Sequence, residues 1–149
     1  MSFLTTEIGR ESKRDSRVMI IGNDYTSISE LAAFMKEVGI ETSAVSTGDW
    51  SVERLDEILQ GAVIVEDEPG SRGWDISSEI RRESSVPIIM VGKTDNEIAW
   101  VKAASYGVDF YLARPFNHHE LVARIRALIR RREHNQRKFT DAKIRSTVY

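Results

Sequence analysis

Three stretches of the chain run apolar without polar alternation, Val18–Ile21, Ala62–Val65 and Pro87–Val91, and a fourth, Val108–Ala113, does so apart from Asp109. Short unbroken runs of this kind suit strands buried on both faces, as in a parallel sheet covered by helices. Each ends in a polar turn. A weaker run, Glu41–Val45, predicts a thin strand at an edge. Between the runs, apolar residues recur at helical spacing. Ile28, Leu31, Met35 and Val38 mark a first helix from Ser27, where Ser27 and Glu30 form a capping-box pattern and Gly39 supplies the stop. Val52, Leu55 and Leu59 mark a second helix, near Ser51 to Gln60, with all three facing inward. A third, weakly amphipathic, covers Trp74 to Arg82, and a fourth Asn96 to Tyr106. A fifth starts at an Asn117 cap and buries Leu121, Ile125, Leu128 and Ile129. Strands and helices alternate throughout, which predicts an α/β fold: a doubly wound parallel sheet with helices on both faces.

In an open sheet of this type, sites lie at the carboxyl edge. The residues delivered there are Gly22, Asn23 and Asp24 after the first run, Glu66, Asp67 and Glu68 after the third, Gly92 after the fourth, and Arg114 after the last. The segments VPIIMV, Gly107-Val108-Asp109-Phe110-Tyr111, Arg114-Pro115-Phe116 and ELVARIRALIRRR supply the most specific likeness. With them the chain resembles the receiver domain of bacterial two-component response regulators over about residues 17–132. The last helix is most similar to the winged-helix, OmpR/PhoB-type subfamily. The resemblance implies a flavodoxin-like (CheY-like) five-stranded sheet in the order 2-1-3-4-5.

It also implies a site, and here the sequence departs from it. Receiver domains carry an acidic pair after strand 1, an Asp that takes the phosphoryl group at the end of strand 3, a Thr or Ser ending strand 4, and a Lys before the Pro after strand 5. In this chain the acidic pair falls on Gly22 and Asn23, with Asp24 one place later. The acceptor position falls on Glu66 when the strands are aligned, or on Val65 when counted back from Pro69 and Gly73. The Thr/Ser position is Gly92 and the Lys position is Arg114. No Asp occupies the acceptor place in either alignment.

Mg²⁺ prefers a compact octahedral set of oxygens. Gly22 offers no side-chain ligand and Asn23 only a neutral carbonyl, so the expectation is no required cofactor and at most weak Mg²⁺ binding through Glu66, Asp67 and Asp24. A Glu acceptor is one methylene longer than Asp, and a misplacement on the order of 1 Å can cost roughly 100-fold in rate. Two readings of Arg114 stand: a charge-assisted bond to Glu66 or Asp67 that imitates the family's Lys contact, or a side chain lying in water. Tyr111 occupies the family's aromatic switch position, but Gly92 leaves no hydroxyl movement for it to follow. His118 and His119 are neighbours on one helical turn and make a poor metal pair. The expected sets of catalytic residues and metal ligands are empty.

The subfamily dimerises through helix 4, strand 5 and helix 5, using charged pairs. Lys102, Glu120, Arg124 and Arg131 keep that character here, while Trp100 and Phe110 replace charged positions. Two apolar groups on a polar face predict a dimer held more by burial than by salt bridges; a pocket inside the molecule is the other reading for Trp100.

Composition adds bounds. The 149 residues suffice for one domain with a core, and 30% charged with 41% apolar is ordinary for a soluble protein. The absence of cysteine excludes disulfides and thiol chemistry and fits a cytoplasmic setting. No apolar run reaches the length of a membrane span. From Arg124 onward nine basic residues face two acidic ones, so residues 133–149 read as a basic linker or tail, and residues 1–16 as a flexible extension. The first functional expectation is a phosphorylation-independent pseudo-receiver of a transcription regulator, homodimeric or bound to a protein partner, meeting DNA only through a domain not present in this chain. The alternatives are a receiver still phosphorylated at Glu66 or Asp67 by a histidine kinase, and a stand-alone protein-binding adaptor.

Overall fold

The computed structural model describes residues 17–58, 61–93 and 97–148. The expected N-terminal extension lies outside these residues, as do Leu59 and Gln60 of the second helix and Asn96 at the head of the fourth. Five strands, β1 (Arg17–Ile21), β2 (Glu41–Val45), β3 (Ala62–Glu66), β4 (Ile88–Gly92) and β5 (Phe110–Ala113), form one parallel sheet in the order β2-β1-β3-β4-β5. This is the expected order. The helices are α1 (Tyr25–Glu37), α2 (Leu55–Ile58), α3 (Gly73–Glu83), α4 (Glu97–Ser105) and α5 (His118–Val148).

Strand residues alternate between two cores, because successive side chains leave opposite faces of a sheet. Met19, Val63, Ile88 and Met90 pack with Ile58, Ile76, Ile80 and Ala103 on the face covered by α2, α3 and α4. Val18, Ile20, Ile64 and Ile89 pack with Leu31, Met35, Leu121 and Ile125 on the face covered by α1 and α5. This explains why the strands read as unbroken apolar runs: both parities are buried. The α5 stripe of Leu121, Ile125 and Ile129 is buried as expected, with Leu128 packed against it.

Several local expectations change. Helix α1 starts at Tyr25, not Ser27, and its cap is Asp24, whose Oδ1 accepts from the Ser27 amide at 3.2 Å. An Asp one turn earlier outcompetes the Ser hydroxyl, which is engaged elsewhere. Val52 was expected to face inward but is 48% exposed, in a 3₁₀ turn (Val52–Arg54) ahead of the short α2. Trp50, just ahead of it, is buried in the core instead, with its indole N–H donating to Glu79 at 3.1 Å. Ser77, a polar residue at a core position of α3, is buried with its hydroxyl donating to the Gly73 carbonyl at 2.9 Å. The last helix continues past Arg132 to Val148. Residues 133–148 contain neither Gly nor Pro, the two residues that most strongly end a helix, so nothing in them stops it.

Candidate functional site

Four features meet at the carboxyl edge of the sheet: the end of β3, the turn after β1, the end of β4, and the segment after β5. Glu66 closes β3 and is 1% exposed. Its parity turns it to the α1 and α5 face, and it lies directly against Gly22. A Cβ built on Gly22 would overlap Glu66 Oε1 and come within 2.6 Å of its Cγ. The missing side chain at Gly22 is therefore the space that the longer Glu66 occupies. Arg114 follows β5 with the same parity and donates to Glu66 Oε2 at 2.5 Å and to Ser27 Oγ at 2.8 Å. Of the two expectations for Arg114, the ion pair is the one that the structure contains, and the partner is Glu66.

The opposite face repeats the arrangement. Gly92 ends β4 toward α3 and α4, and a Cβ there would overlap the Tyr111 hydroxyl. Tyr111 is buried, and its hydroxyl donates to Asp67 Oδ2 at 3.2 Å. Trp74 donates its indole N–H to Asp67 Oδ1 at 3.1 Å and stacks on the Tyr111 ring at 6.1 Å between centroids, 5° from parallel. Lys102 covers the outer face of this cluster, 4.6 Å from the Trp74 ring centre and 5.9 Å from that of Tyr106. Sequence reasoning did not give Trp74 this part. The available signal was the pairing of a Gly at the Thr/Ser position with two aromatic residues bound for the same face.

Most of the oxygens that could hold Mg²⁺ here are engaged by other groups. The Asn23 side chain is tied to Thr47, accepting from its amide at 3.1 Å and donating to its hydroxyl at 2.8 Å. Asp24 caps α1, and both Asp67 oxygens are engaged. Two buried carboxylate oxygens, Glu66 Oε1 and Glu68 Oε1, have no hydrogen-bond partner among the described residues. Two free oxygens would leave Mg²⁺ to complete its octahedron with water, so only a weakly held, largely hydrated ion suits the site, and no three acidic, His or Cys side chains among the described residues gather into a metal cluster. Burial holds the Glu68 carboxyl above its ordinary range, helped by the neighbouring charges of Glu66 and Asp24 and opposed by Arg114.

The expected interface residues divide. Trp100 is 43% exposed and meets Phe110 edge-on at 5.0 Å. The Arg124 guanidinium stacks 4.5 Å from the Phe110 ring centre, and Glu120 stands exposed on the same helix. Lys102 is on the other flank of α4, over Trp74, and Arg131 lies beyond this group toward the amino edge of the sheet, beside Ser85 and Pro87. Ile98 and Val101, which sequence reasoning passed over, are exposed on α4. His118 and His119 pack their rings on Phe34.

Residues 18–126 match the family described as "Response regulator receiver domain". The chain belongs to that family. Among its relatives is the sensory transduction protein RegX3 of Mycobacterium tuberculosis, 32% identical over 130 residues that cover 87% of this chain and 57% of RegX3. The DNA-binding response regulator MtrA of Mycolicibacterium smegmatis is 29% identical over 118 residues, which cover 78% of this chain and 52% of MtrA. Both fit the expected OmpR/PhoB-type character. This receiver domain thus spans a little over half the length of these relatives. A CheY-like receiver domain protein from Methanospirillum hungatei shares the fold, with a TM-score of 0.70 at 17% identity, covering 81% of this chain and 98% of that one. No described helix is long and apolar enough to cross a membrane.

Proposed function

We propose that this receiver domain signals without phosphorylation, as a cytoplasmic dimerisation or partner-binding module of a two-component regulator, and that it is not an enzyme. The observation that carries the reading is the state of the acceptor position: Glu66 is buried and ion-paired to Arg114. An in-line attack needs an exposed carboxylate oxygen and a metal to neutralise the incoming phosphoryl group. Glu66 Oε2 is engaged, Oε1 is shut behind Gly22, and Asp67 holds two hydrogen bonds of its own. The positive charge that a receiver's Lys would offer to a phosphoryl oxygen is already given to a resident carboxylate. Tyr111 is likewise held in its buried position by Asp67, Trp74 and the space at Gly92, with no need of a Thr or Ser to draw it in.

The output surface is assigned to α4, β5 and α5, where Trp100, Phe110 and Arg124 form one apolar and cationic cluster. Contact with DNA is assigned to residues outside this chain, since MtrA is a DNA-binding regulator and this chain spans only about half of it. The deciding experiment is intact mass spectrometry after incubation with acetyl phosphate and Mg²⁺. The expected spectrum is that of the unmodified chain. An added phosphoryl group that disappears in Glu66→Gln or Asp67→Asn would instead establish the kinase-dependent reading.

A further inference from the structure

At the other end of the sheet, the part of α5 beyond Ile129 overhangs the loops that lead into β4 and β5. Between them lies an open groove of about 760 Å³, within the range of small-molecule sites. Its inner wall is tied by hydrogen bonds. Asp109 accepts from the Ile88 amide at 2.8 Å and from Arg81 at 2.7 Å, while Arg81 also donates to the carbonyls of Gly107 and Ser84. The groove's one carboxylate is thus already matched by a cation behind it. Arg132 enters from α5 and donates to Ser85 Oγ at 3.2 Å. Burial, and secondarily the nearby Arg81, lower its proton affinity, opposed by the neighbouring Glu133 carboxylate. Crowded cations of this kind are stabilised by an incoming anion.

The outer wall is one face of α5. Arg131, Asn135 and Gln136 reach the groove there, and among the described residues their side chains have no partner. Phe139, 71% exposed, closes the far end. An unpaired guanidinium, two unpaired amides and a bare aromatic ring along one wall form a coherent set. The guanidinium groups suit phosphate, the amides suit the edge of a heterocyclic base, and the ring suits its face. Arg131 and Arg132 stand seven or eight residues from Phe139, about 10–12 Å along a helix. That separation suits a nucleotide with more than one phosphate.

We propose that this groove is a nucleotide-binding site, with phosphates toward Arg131 and Arg132 and the base against Phe139. A second copy of the chain is disfavoured as occupant, because the same stretch of helix carries Arg130, Arg131, Arg132, Arg137 and Lys138 against only Glu133 and Asp141, and two such positive stretches repel. The site does not depend on the phosphorylation reading and is tested separately from it. The experiment is titration calorimetry of the chain with ATP and GTP, with inorganic triphosphate and adenosine as controls, at low and high salt. ATP or GTP should bind more tightly than either control, and more weakly at high salt. Arg131→Ala and Phe139→Ala should each weaken binding about tenfold, while the melting temperature stays that of the wild type. Three results would each overturn the proposal: no nucleotide binding at millimolar concentration, affinity unchanged in both variants, or triphosphate binding as tightly as the nucleotide.

Discussion

The Tyr111 hydroxyl occupies the volume in which a side chain at Gly92 would begin. Any residue at position 92 must therefore displace Tyr111 or strain the sheet, and displacement also breaks the Asp67 bond. Overpacking of a tight interior costs about 1–3 kcal/mol. Gly92→Ala should destabilise the domain by an amount of this order, and less in a Tyr111→Phe background, where the overlapping oxygen is gone. A double-mutant cycle by denaturant unfolding measures the coupling. Additive effects would mean that position 92 and Tyr111 are not in competition.

Gly22 and Glu66 are related in the same way on the other face. Gly22→Asp returns an acidic residue to the family's metal-binding position, yet its Cβ would collide with the Glu66 carboxyl. The expected outcome is lower stability and no gain in Mg²⁺ affinity, because a second carboxylate is forced against a buried first one. Pairing Gly22→Asp with Glu66→Ala should recover much of the stability. Magnesium titration followed by NMR, with thermal melts on the same samples, checks both parts.

Arg114→Ala leaves the Glu66 carboxylate buried without its cation. Removing one partner of a buried pair typically costs about 3–5 kcal/mol. Arg114 keeps partial access to water, so the lower end, about 3 kcal/mol, is expected. Adding Glu66→Gln to Arg114→Ala should restore part of the loss by removing the stranded charge. A melt of Arg114→Ala equal to that of the wild type would place the guanidinium in solvent.

These relationships mark the boundary of what the sequence discloses. The sheet order and the inner faces of the helices were legible because burial on both sides leaves unbroken apolar runs, and α5 repeats Leu121, Ile125 and Ile129 on one stripe. The altered positions 22, 66, 92 and 114 were legible one at a time. Their pairing was not. A glycine announces that a side chain is missing but not which distant residue fills the space, and Gly92 and Tyr111 belong to different strands. The extension of α5 was hidden for a different reason. Where a helix has no core to face, hydrophobic periodicity stops, although the helix itself continues.

Glu68 gives the site a pH dependence with a definite sign. Its folded carboxyl keeps a proton to higher pH than in the unfolded chain, because it is shielded and sits near Glu66 and Asp24. Between the ordinary carboxylate range and the raised folded value, the folded state binds more protons. Stability contributed by this group is therefore full below that window and is lost as pH rises through it. Glu68→Gln should flatten this part of the melting-temperature profile. An unchanged profile in Glu68→Gln would assign the dependence to other carboxyls.

The last prediction concerns assembly. Trp100 and Phe110 meet edge-on, with Arg124 stacked on the Phe110 ring, on a face that also presents Glu120. Phe110 is partly covered by its two neighbours, so Trp100, 43% exposed, is the larger apolar group left to a partner. A receiver that waits for phosphorylation can leave this surface unassembled until the signal arrives. On the proposed phosphorylation-independent reading, a chain whose Glu66 is buried and ion-paired and whose Tyr111 is held inward needs no such trigger, so a dimer through α4, β5 and α5 should be constitutive. Centrally placed aromatic residues contribute about 2 kcal/mol or more each at interfaces, which makes Trp100→Ala the decisive substitution. Apolar contacts are not screened, so raising the salt should weaken the dimer only slightly. Sedimentation velocity at micromolar concentration should give a dimer at low and high salt for the wild type, and a shift toward monomer for Trp100→Ala. A monomer under all conditions would end the proposal, and a dimer indifferent to Trp100→Ala would move the interface to another face.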